Sequence, residues 1–178
     1  MLRPFTESDL GPFAALNAHP RVVASLGSSP TRAESDALVE RYSAELRVEG
    51  WGLWAVEVVG GAPFVGLVGL HRVSAALPCA PTVEVGWRLS PEHWGHGYAA
   101  EAGAAALRFG FTAGALGEIV AFTAASNLRS QAVMGRIGML RDPGADFDHP
   151  SVPEGSPLRR HVLYRAGPGA PDSPSTPW

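Results

Sequence analysis

The residues whose types and spacing could do chemistry lie between positions 83 and 102. An alternating, β-branched run carries one carboxylate, Glu84, and a Gly-x-Gly turn at Gly95 and Gly97 follows it. An alanine-rich helical pattern begins directly after the turn. Glycines let a backbone approach a phosphate closely, and a helix N-terminus offers unpaired N–H groups and the positive end of its dipole. This order of strand, turn and helix predicts a phosphate-binding cradle.

The overall composition indicates a single domain. The chain has 178 residues, of which 46% are hydrophobic and 17% charged, enough apolar material for a sizeable core. A formal net charge of -3 offers no basic surface, so nucleic acid is not expected as the main partner. The single cysteine, Cys79, excludes an internal disulfide framework, and no stretch is apolar for long enough to span a bilayer. We therefore expect a cytoplasmic protein that does not act in a membrane.

Helix signals dominate the first fifty residues, and strand signals follow them. Thr6, and the capping box formed by Thr31 and Glu34, precede apolar residues at helical spacing. From Trp51 the pattern alternates, with a hairpin signal at residues 60–61. In order, the predicted segments are a short strand over 2–5, a helix from Thr6 through Leu16, a loop over 20–30, a helix over 31–50, strands over 51–59 and 64–73, a loop over 74–81 and a strand over 83–89.

The rest of the chain alternates between helices and strands. Its predicted segments are a helix over 98–112, a strand over 118–124, a helix capped by Asn127 and ending at Gly138, a brief strand over 139–141, a loop over 142–157 and a strand over 161–165. The order β-α-α-β-β-β-α-β-α-β-β predicts an α/β domain over residues 1–166, with a mixed sheet and helices on both faces. The Pro- and Gly-rich residues 167–178 are expected to form a flexible tail.

Two motifs in this order resemble the GNAT superfamily of acyl-CoA N-acyltransferases, and within it the RimJ/RimL type of ribosomal-protein N-terminal acetyltransferase. The pattern E-[IV]-G-x-x-L-x-P-x-x-W-G-x-G-Y-A-x-E-A is matched from Glu84 to Ala102. A second pattern, Asn-x-x-Ser followed by a hydrophobic helix and a glycine, is matched by Asn127, Ser130 and Gly138. The resemblance implies the GNAT fold, whose central, mostly antiparallel sheet has strands splayed apart at the CoA site.

The resemblance also implies acetyl-CoA as co-substrate and no metal. Backbone N–H groups from Gly95 to Ala99 would hold the pyrophosphate, and Trp94 stands where the superfamily usually has Gln or Arg, as is common in the RimJ/RimL branch. The pantetheine arm would lie between the strands ending near Leu89 and Ala124, within reach of Asn127. The residues that this predicts at the cofactor are Trp87, Arg88, Leu89, Trp94, Gly95, His96, Gly97, Tyr98, Ala99, Asn127 and Ser130.

Amide formation from a thioester needs a neutral amine, a donor to the thioester oxygen and a proton for the departing thiolate. Glu84 is the candidate general base, since a lysine-like amine is mostly protonated at neutral pH; the alternative is a strand-face glutamate paired with an arginine. Many members of the superfamily that the chain resembles use a tyrosine as the acid, but Met134 stands at that position and cannot donate a proton. Ser130 is the substitute, unless its hydroxyl bonds only within the first helical turn.

The remaining reactive side chains are not predicted to take part in catalysis. His93 and His96 have the spacing of a metal pair, but no carboxylate or cysteine completes a set, so we expect exposed loop residues. Cys79 has no activating base in its sequence neighbourhood and is expected to be structural.

The acceptor side is predicted at loops 20–30, 74–81 and 142–157. In the last of these, we expect the Asp146 to His149 segment to form a turn network and consider cation recognition as the alternative.

The sequence therefore predicts an acetyl-CoA-dependent N-acetyltransferase that transfers the acetyl group directly to a primary amine, either a protein N-terminus or a small molecule. A non-catalytic acyl-CoA sensor is the alternative, because the usual tyrosine is missing. A nucleotide-binding protein is disfavoured, since Ala100 replaces the last glycine of a dinucleotide pattern. Homodimerisation is common among proteins of this type and is expected as a possible state here.

Overall fold

The computed structural model describes residues 1–169, which form an open eight-stranded sheet and five α-helices. The helices are α1 (Leu10–Ala18), α2 (Pro20–Leu26), α3 (Arg32–Glu49), α4 (Tyr98–Phe111) and α5 (Leu128–Arg136). The strands are β1 (Leu2–Arg3), β2 (Leu53–Val56), β3 (Gly66–Arg72), β4 (Val83–Leu89), β5 (Ile119–Ala124), β6 (Leu140–Arg141), β7 (Phe147–Asp148) and β8 (Arg160–Ala166). The sheet order is β1-β2-β3-β4-β5-β8-β6, and β7 also pairs with β8.

Within the described residues, the sheet contains one parallel pair of strands, β4 and β5, near its middle. These strands pair only at Val83 with Ile119 and at Glu84 with Val120. Beyond that point each strand keeps its other neighbour, because β4 pairs with β3 as far as Leu89 and β5 pairs with β8 as far as Ala124. The two strands therefore part. The predicted mixed sheet with splayed strands is confirmed.

Helices cover both faces of the sheet, as predicted. On one face α4 and α5 pack on β3, β4 and β5 through small and branched side chains such as Ala106 and Ile137. On the other face α1 and α3 form a second core around Phe13, with Leu67 of β3 beneath it. Since β4 alternates sides, Glu84, Gly86 and Arg88 share the face covered by α1 and α3.

The predicted loop over residues 20–30 is wrong, because it contains α2. Pro20 occupies the first turn of this helix, where its missing N–H and fixed φ are compatible with a helix start. The His19 side chain accepts a hydrogen bond from the Arg21 N–H at 3.2 Å, and Gly27 ends the helix with a φ of +74°. The sequence interpretation took proline and glycine as loop signals, whereas here they mark a helix start and stop.

Smaller differences concern element ends. The predicted 142–157 loop includes β7 and a 3-10 turn over Pro143–Ala145, and β2 is shorter than the predicted 51–59 strand. The capping box of Thr31 and Glu34 is confirmed at the start of α3. No helix in residues 1–169 is both long and apolar enough to cross a membrane. Most of the predicted tail, from residue 170 onward, lies outside the described residues.

Candidate active site

The parting of β4 and β5 forms an opening that we call the wedge, bounded by residues 85–89 and 121–124. The Ser90 N–H donates to the Val65 carbonyl at 2.9 Å, toward β3. Because successive residues of a strand present their N–H groups to opposite edges, those of Trp87 and Leu89 face the wedge. The wedge edge of β4 thus carries free donors.

Next to the wedge, the turn before α4 forms the predicted cradle, which we define as the backbone of residues 95–99. Gly95 and Gly97 have φ values of +84° and +81°, a left-handed conformation that glycine adopts without strain. Within the described residues, no N–H from Gly95 to Ala99 donates a hydrogen bond, and no side chain caps α4. These unbonded donors and the positive end of the dipole of a 14-residue helix make the turn a suitable site for a phosphate.

Trp94 fastens the cradle to its surroundings. Its indole Nε1 donates to the Leu89 carbonyl at 2.7 Å, and the guanidinium groups of Arg21 and Arg129 each lie over its ring, 4.6 and 4.8 Å from the ring centroid. Two cation–π contacts to one indole connect α2 and α5 through the loop. Sequence reasoning missed both arginines, because these contacts join three segments that are distant in the chain.

The remaining side chains of the turn lie at its surface. The His96 and Tyr98 rings stack with their centroids 5.6 Å apart, and the His93 ring lies 6.3 Å from that of Tyr98. His96 is exposed, as expected for a loop residue, but the same expectation is wrong for His93, which is half-buried at the end of a 3-10 turn over Pro91–His93. No group of three or more potential metal ligands occurs within residues 1–169. These rings border the cradle and could contact a bound cofactor.

The start of α5 brings together Asn127 and Ser130. The Asn127 Oδ1 accepts from the Ser130 N–H at 3.3 Å, and its Nδ2 donates to the Ser130 Oγ at 3.1 Å and to the Thr123 Oγ1 at 3.0 Å. Since the Ser130 oxygen accepts a hydrogen bond from Asn127, its own proton is free to be donated elsewhere. Met134 is buried in the core, 2% exposed, and takes no part in the site.

At the narrow end of the wedge, Glu84 contacts His71 of β3. The Glu84 Oε2 and the His71 Nε2 are 3.1 Å apart, and the two residues are cross-strand partners. Burial lowers the pKa of His71, but the hydrogen bond to Glu84 and its negative charge outweigh this and raise the pKa above its usual value. The predicted alternative for Glu84, pairing with an arginine, is wrong; its partner is a histidine that sequence reasoning missed.

A cluster of rings forms beyond Glu84, where β7 and the segment after it meet β5 and β8. The His149 and His161 rings have centroids 4.9 Å apart, and Phe122 and Phe147 pack against them. Burial lowers the pKa of both histidines, and for His149 the neighbouring His161 lowers it further while Glu84 opposes this. Both imidazoles therefore favour the neutral form on the Glu84 side of the sheet.

The acidic residues of the same segment form ion pairs with arginines. Asp146 pairs with Arg141 at 2.6 Å, and Asp148 pairs with Arg160 at 3.5 Å. The predicted turn network holds only in part: the His149 Nδ1 accepts from the Ser151 N–H, whereas Asp148 forms an ion pair across paired strands and Asp146 forms one with Arg141 five residues earlier. Both carboxylates are paired with arginines, and the Asp146 Oδ1 is buried without a hydrogen-bond partner within the described residues.

Arg88 lies apart from the cofactor position predicted for it. The backbone N–H and C=O of Arg88 point toward β3, whereas those of Leu89 point toward the wedge. The Arg88 side chain runs beneath α1, where its Nη1 donates to the Asn17 Oδ1. The Nε is buried and has no hydrogen-bond partner within the described residues. Burial lowers the pKa of the guanidinium, although arginine stays charged at any ordinary pH.

Cys79 is buried and unpaired. Burial raises the pKa of its thiol, which disfavours the nucleophilic thiolate. This agrees with the expected structural role, because direct attack by a cysteine needs the opposite shift.

With the wedge and the cradle described, comparison with known proteins identifies the family. A family model for the acetyltransferase (GNAT) domain matches residues 1–140. The chain belongs to the GNAT acetyltransferase family. The matched part of this GNAT domain contains Glu84, the cradle and Ser130, whereas His149 and His161 lie beyond it.

Relatives of this GNAT domain align over limited lengths. The N-acetyltransferase YnaD of Bacillus subtilis, itself uncharacterised, is 37% identical over 75 residues, 42% of each chain. The chain spans about half or less of the length of the first curated relatives that it matches. An acetyltransferase from Agrobacterium tumefaciens superposes with a TM-score of 0.73 and 26% identity, covering 93% of this chain and 88% of that one. Spermidine N-acetyltransferase from Vibrio cholerae, solved with CoA and spermine, gives 0.74 at 20% identity and 96% coverage of each, which shows the fold alone.

Proposed function

We propose that this GNAT domain is an acetyl-CoA-dependent N-acetyltransferase that transfers the acetyl group directly to a primary amine, with the RimJ/RimL type as its nearest branch. One observation carries the proposal. Glu84 is the last residue of β4 that pairs with β5, so its carboxylate stands where the wedge opens, on the same strand as the free donors of Trp87 and Leu89. A base and carbonyl-polarising donors thus flank one opening that leads to the cradle.

The donor would lie along the wedge. The cradle N–H groups suit the pyrophosphate of acetyl-CoA, and the pantetheine arm would extend between β4 and β5. The thioester carbonyl would then accept from the Trp87 or Leu89 N–H, which stabilises the negative charge that develops on its oxygen during attack. All of these contacts come from backbone groups, which sit at fixed positions on strand and helix ends.

The acceptor amine must lose a proton before or during attack. An amine with a pKa near that of lysine, about 10.4, is largely protonated at neutral pH. Glu84 would accept this proton, directly or through water, while His71 holds the carboxylate in place at 3.1 Å. The amine nitrogen forms a bond to the carbonyl carbon, the C–S bond breaks, and the products are an amide and the CoA thiolate.

Ser130 would supply a proton to that thiolate. Its oxygen already accepts from Asn127, so the hydroxyl hydrogen is available for the sulfur. Asn127 would then act by orienting Ser130 and capping α5. The replacement of the usual tyrosine by Met134 keeps the sensor alternative open, and a turnover measurement separates an enzyme from a sensor.

Thermal unfolding with acetyl-CoA, CoA, ATP and NAD tests the proposal. A ligand present at one hundred times its Kd stabilises the fold by about 2.7 kcal/mol. We expect stabilisation by acetyl-CoA and CoA alone, and its loss in Gly97→Glu, which places a carboxylate in the cradle. Gly60→Glu is the matched control, because Gly60 has a similar φ of +74° and open space around it but lies in the β2–β3 hairpin.

Turnover is measured next, with a panel of amines and detection of free CoA thiol. Acetylation that is lost in Glu84→Gln, with acetyl-CoA stabilisation retained, supports the enzyme. Stabilisation by acetyl-CoA without turnover of any amine favours the sensor. Stabilisation by a nucleotide and by neither CoA species contradicts both.

A further inference from the structure

We propose that the acceptor is a small amino-carboxylate, such as a free amino acid, whose carboxylate is bound by Arg88 while its amine lies over Gly86 beside Glu84. The inference rests on the proposed function and adds the substrate class. It also decides between the two kinds of acceptor named above, because a protein N-terminus has a peptide carbonyl where an amino acid has its carboxylate.

The first observation is which donors of Arg88 are in use. Nη1 is taken by the Asn17 Oδ1, and Nε is buried without a partner within residues 1–169. Nε and Nη2 form the side edge of the guanidinium, where two N–H bonds point in parallel. This edge matches the two oxygens of a carboxylate in a bidentate pair. The unused edge of Arg88 is therefore the one suited to a carboxylate.

The second observation is that Arg88 has no counter-charge. No described carboxylate lies within ion-pair distance of its guanidinium. Arg21 and Arg129 also form no ion pair with a described carboxylate, but both are exposed to solvent, whereas Arg88 is half-buried. A half-buried guanidinium whose Nε is buried and unpartnered within the described residues is costly to the fold when no anion is near it. A bound anion would offset that cost, which gives an acidic ligand an advantage over a neutral one.

The third observation is how firmly the guanidinium is held. Asn17 and Ser35 are both fully buried, at 0% exposure, and the Asn17 Nδ2 donates to the Ser35 Oγ at 3.0 Å. The two residues come from α1 and α3, so the relay fixes the guanidinium against two helices. Buried polar side chains that are fully satisfied hold a single orientation, as a recognition group requires.

The fourth observation is the open position over Gly86, which lies between Glu84 and Arg88 along β4. A Cβ added at Gly86 would meet only the Glu84 Oε1 and the His71 Nε2, both at 3.8 Å. Gly86 and Arg88 are two residues apart on one strand face, about 6.6 Å along the strand. An amine over Gly86 would be within reach of the Glu84 carboxylate, and an acid group a few bonds away would extend toward Arg88.

The test compares each L-amino acid with its own carboxamide as acceptor, with acetyl-CoA saturating. We expect the best amino acid to exceed its amide in kcat/KM by roughly 10- to 100-fold, the range for a charge-assisted bidentate pair. In Arg88→Gln this ratio should fall to about one, with the acetyl-CoA thermal shift unchanged. Arg88→Lys keeps the charge without the parallel donors and should give an intermediate ratio.

Arg32→Gln is the matched control, because Arg32 is an exposed arginine of α3 paired with Asp36 and should leave the ratio unchanged. Equal kcat/KM for acid and amide in the wild-type protein overturns the inference and needs no variant, so it holds even if Arg88→Gln does not fold. If Arg88→Gln lowers kcat/KM equally for the amino acid and for its amide, the inference is also overturned, since an equal loss indicates a structural role for Arg88. Acetylation of amides or peptides without acid preference leaves the proposed function intact, whereas absence of acetyl-CoA binding overturns both.

Discussion

The two halves of the site are built from different parts of the polypeptide. The donor half, which comprises the wedge, the cradle and the start of α5, offers mainly backbone N–H groups and helix ends. The acceptor half that we propose lies on the face of α1 and α3 and consists of side chains, namely His71, Glu84, Arg88, His149 and His161. Backbone groups recognise the same thioester whatever the side chains are, whereas side chains can change with the acceptor.

The two halves also differ in how much of each the family model covers. The donor half lies within the matched residues 1–140, but two histidines of the acceptor half lie beyond them. Variants in one half should therefore leave the other half working. The following predictions test that separation, from the largest effect to the smallest.

The largest effect is expected for Glu84→Gln. Removing the base should lower kcat by about 10²- to 10⁴-fold, the usual contribution of general base catalysis. Stabilisation by acetyl-CoA should stay as in the wild type, because the cradle is untouched. The measurements are steady-state kinetics and thermal unfolding, with the exposed Glu40→Gln on α3 as the control. A loss of acetyl-CoA stabilisation in Glu84→Gln would show that the two halves are not separable.

Ser130→Ala comes next and belongs to the donor half. Loss of a proton donor to the thiolate should lower kcat by roughly 10- to 100-fold at unchanged KM for the amine. Because Ser130 would act on the leaving group, a thioester with a more acidic thiol should restore most of the rate. Equal loss with both thioesters would point to a structural role for Ser130 within α5.

A smaller effect is expected for Arg129→Ala. Removing one cation–π contact on Trp94 should make the cradle less rigid. The binding free energy of acetyl-CoA should weaken by about 1 kcal/mol, which corresponds to an affinity about five-fold lower. The acid-to-amide ratio of the acceptor should not change, since Arg88 is unaffected. Isothermal titration with CoA measures the affinity. Weaker acceptor selectivity at full CoA affinity would contradict this assignment.

The smallest effect is a pH dependence of stability that differs between histidines. His71 has a raised pKa in the folded state, so its stabilisation is complete below the unfolded value of about 6.5 and is lost as pH rises through the folded pKa. His161 has a lowered pKa because of burial, so its contribution is present above about 6.5 and declines as pH falls. Urea unfolding of His71→Gln and His161→Gln at acidic and alkaline pH should therefore give opposite trends.

The sequence by itself determined the features that local chemistry controls. The cradle follows from two glycines before a helix, the start of α3 from the capping box of Thr31 and Glu34, and the contact of Asn127 with Ser130 from their three-residue spacing at a helix start. Each of these depends on groups within a few residues of one another. The mixed sheet with helices on both faces was also predictable, because hydrophobic periodicity fixes the type and order of the elements.

Only the tertiary structure decided the acceptor half. His71 meets Glu84 because of the antiparallel register of β3 and β4, which sequence periodicity does not specify across a long loop. Arg88 turns from the predicted cofactor contact to Asn17 because strand alternation places it under α1. The same holds for the ring cluster, since His149 and His161 meet only when β7 pairs with β8. Contacts between distant segments depend on register and packing, and those emerge only when the whole sheet assembles.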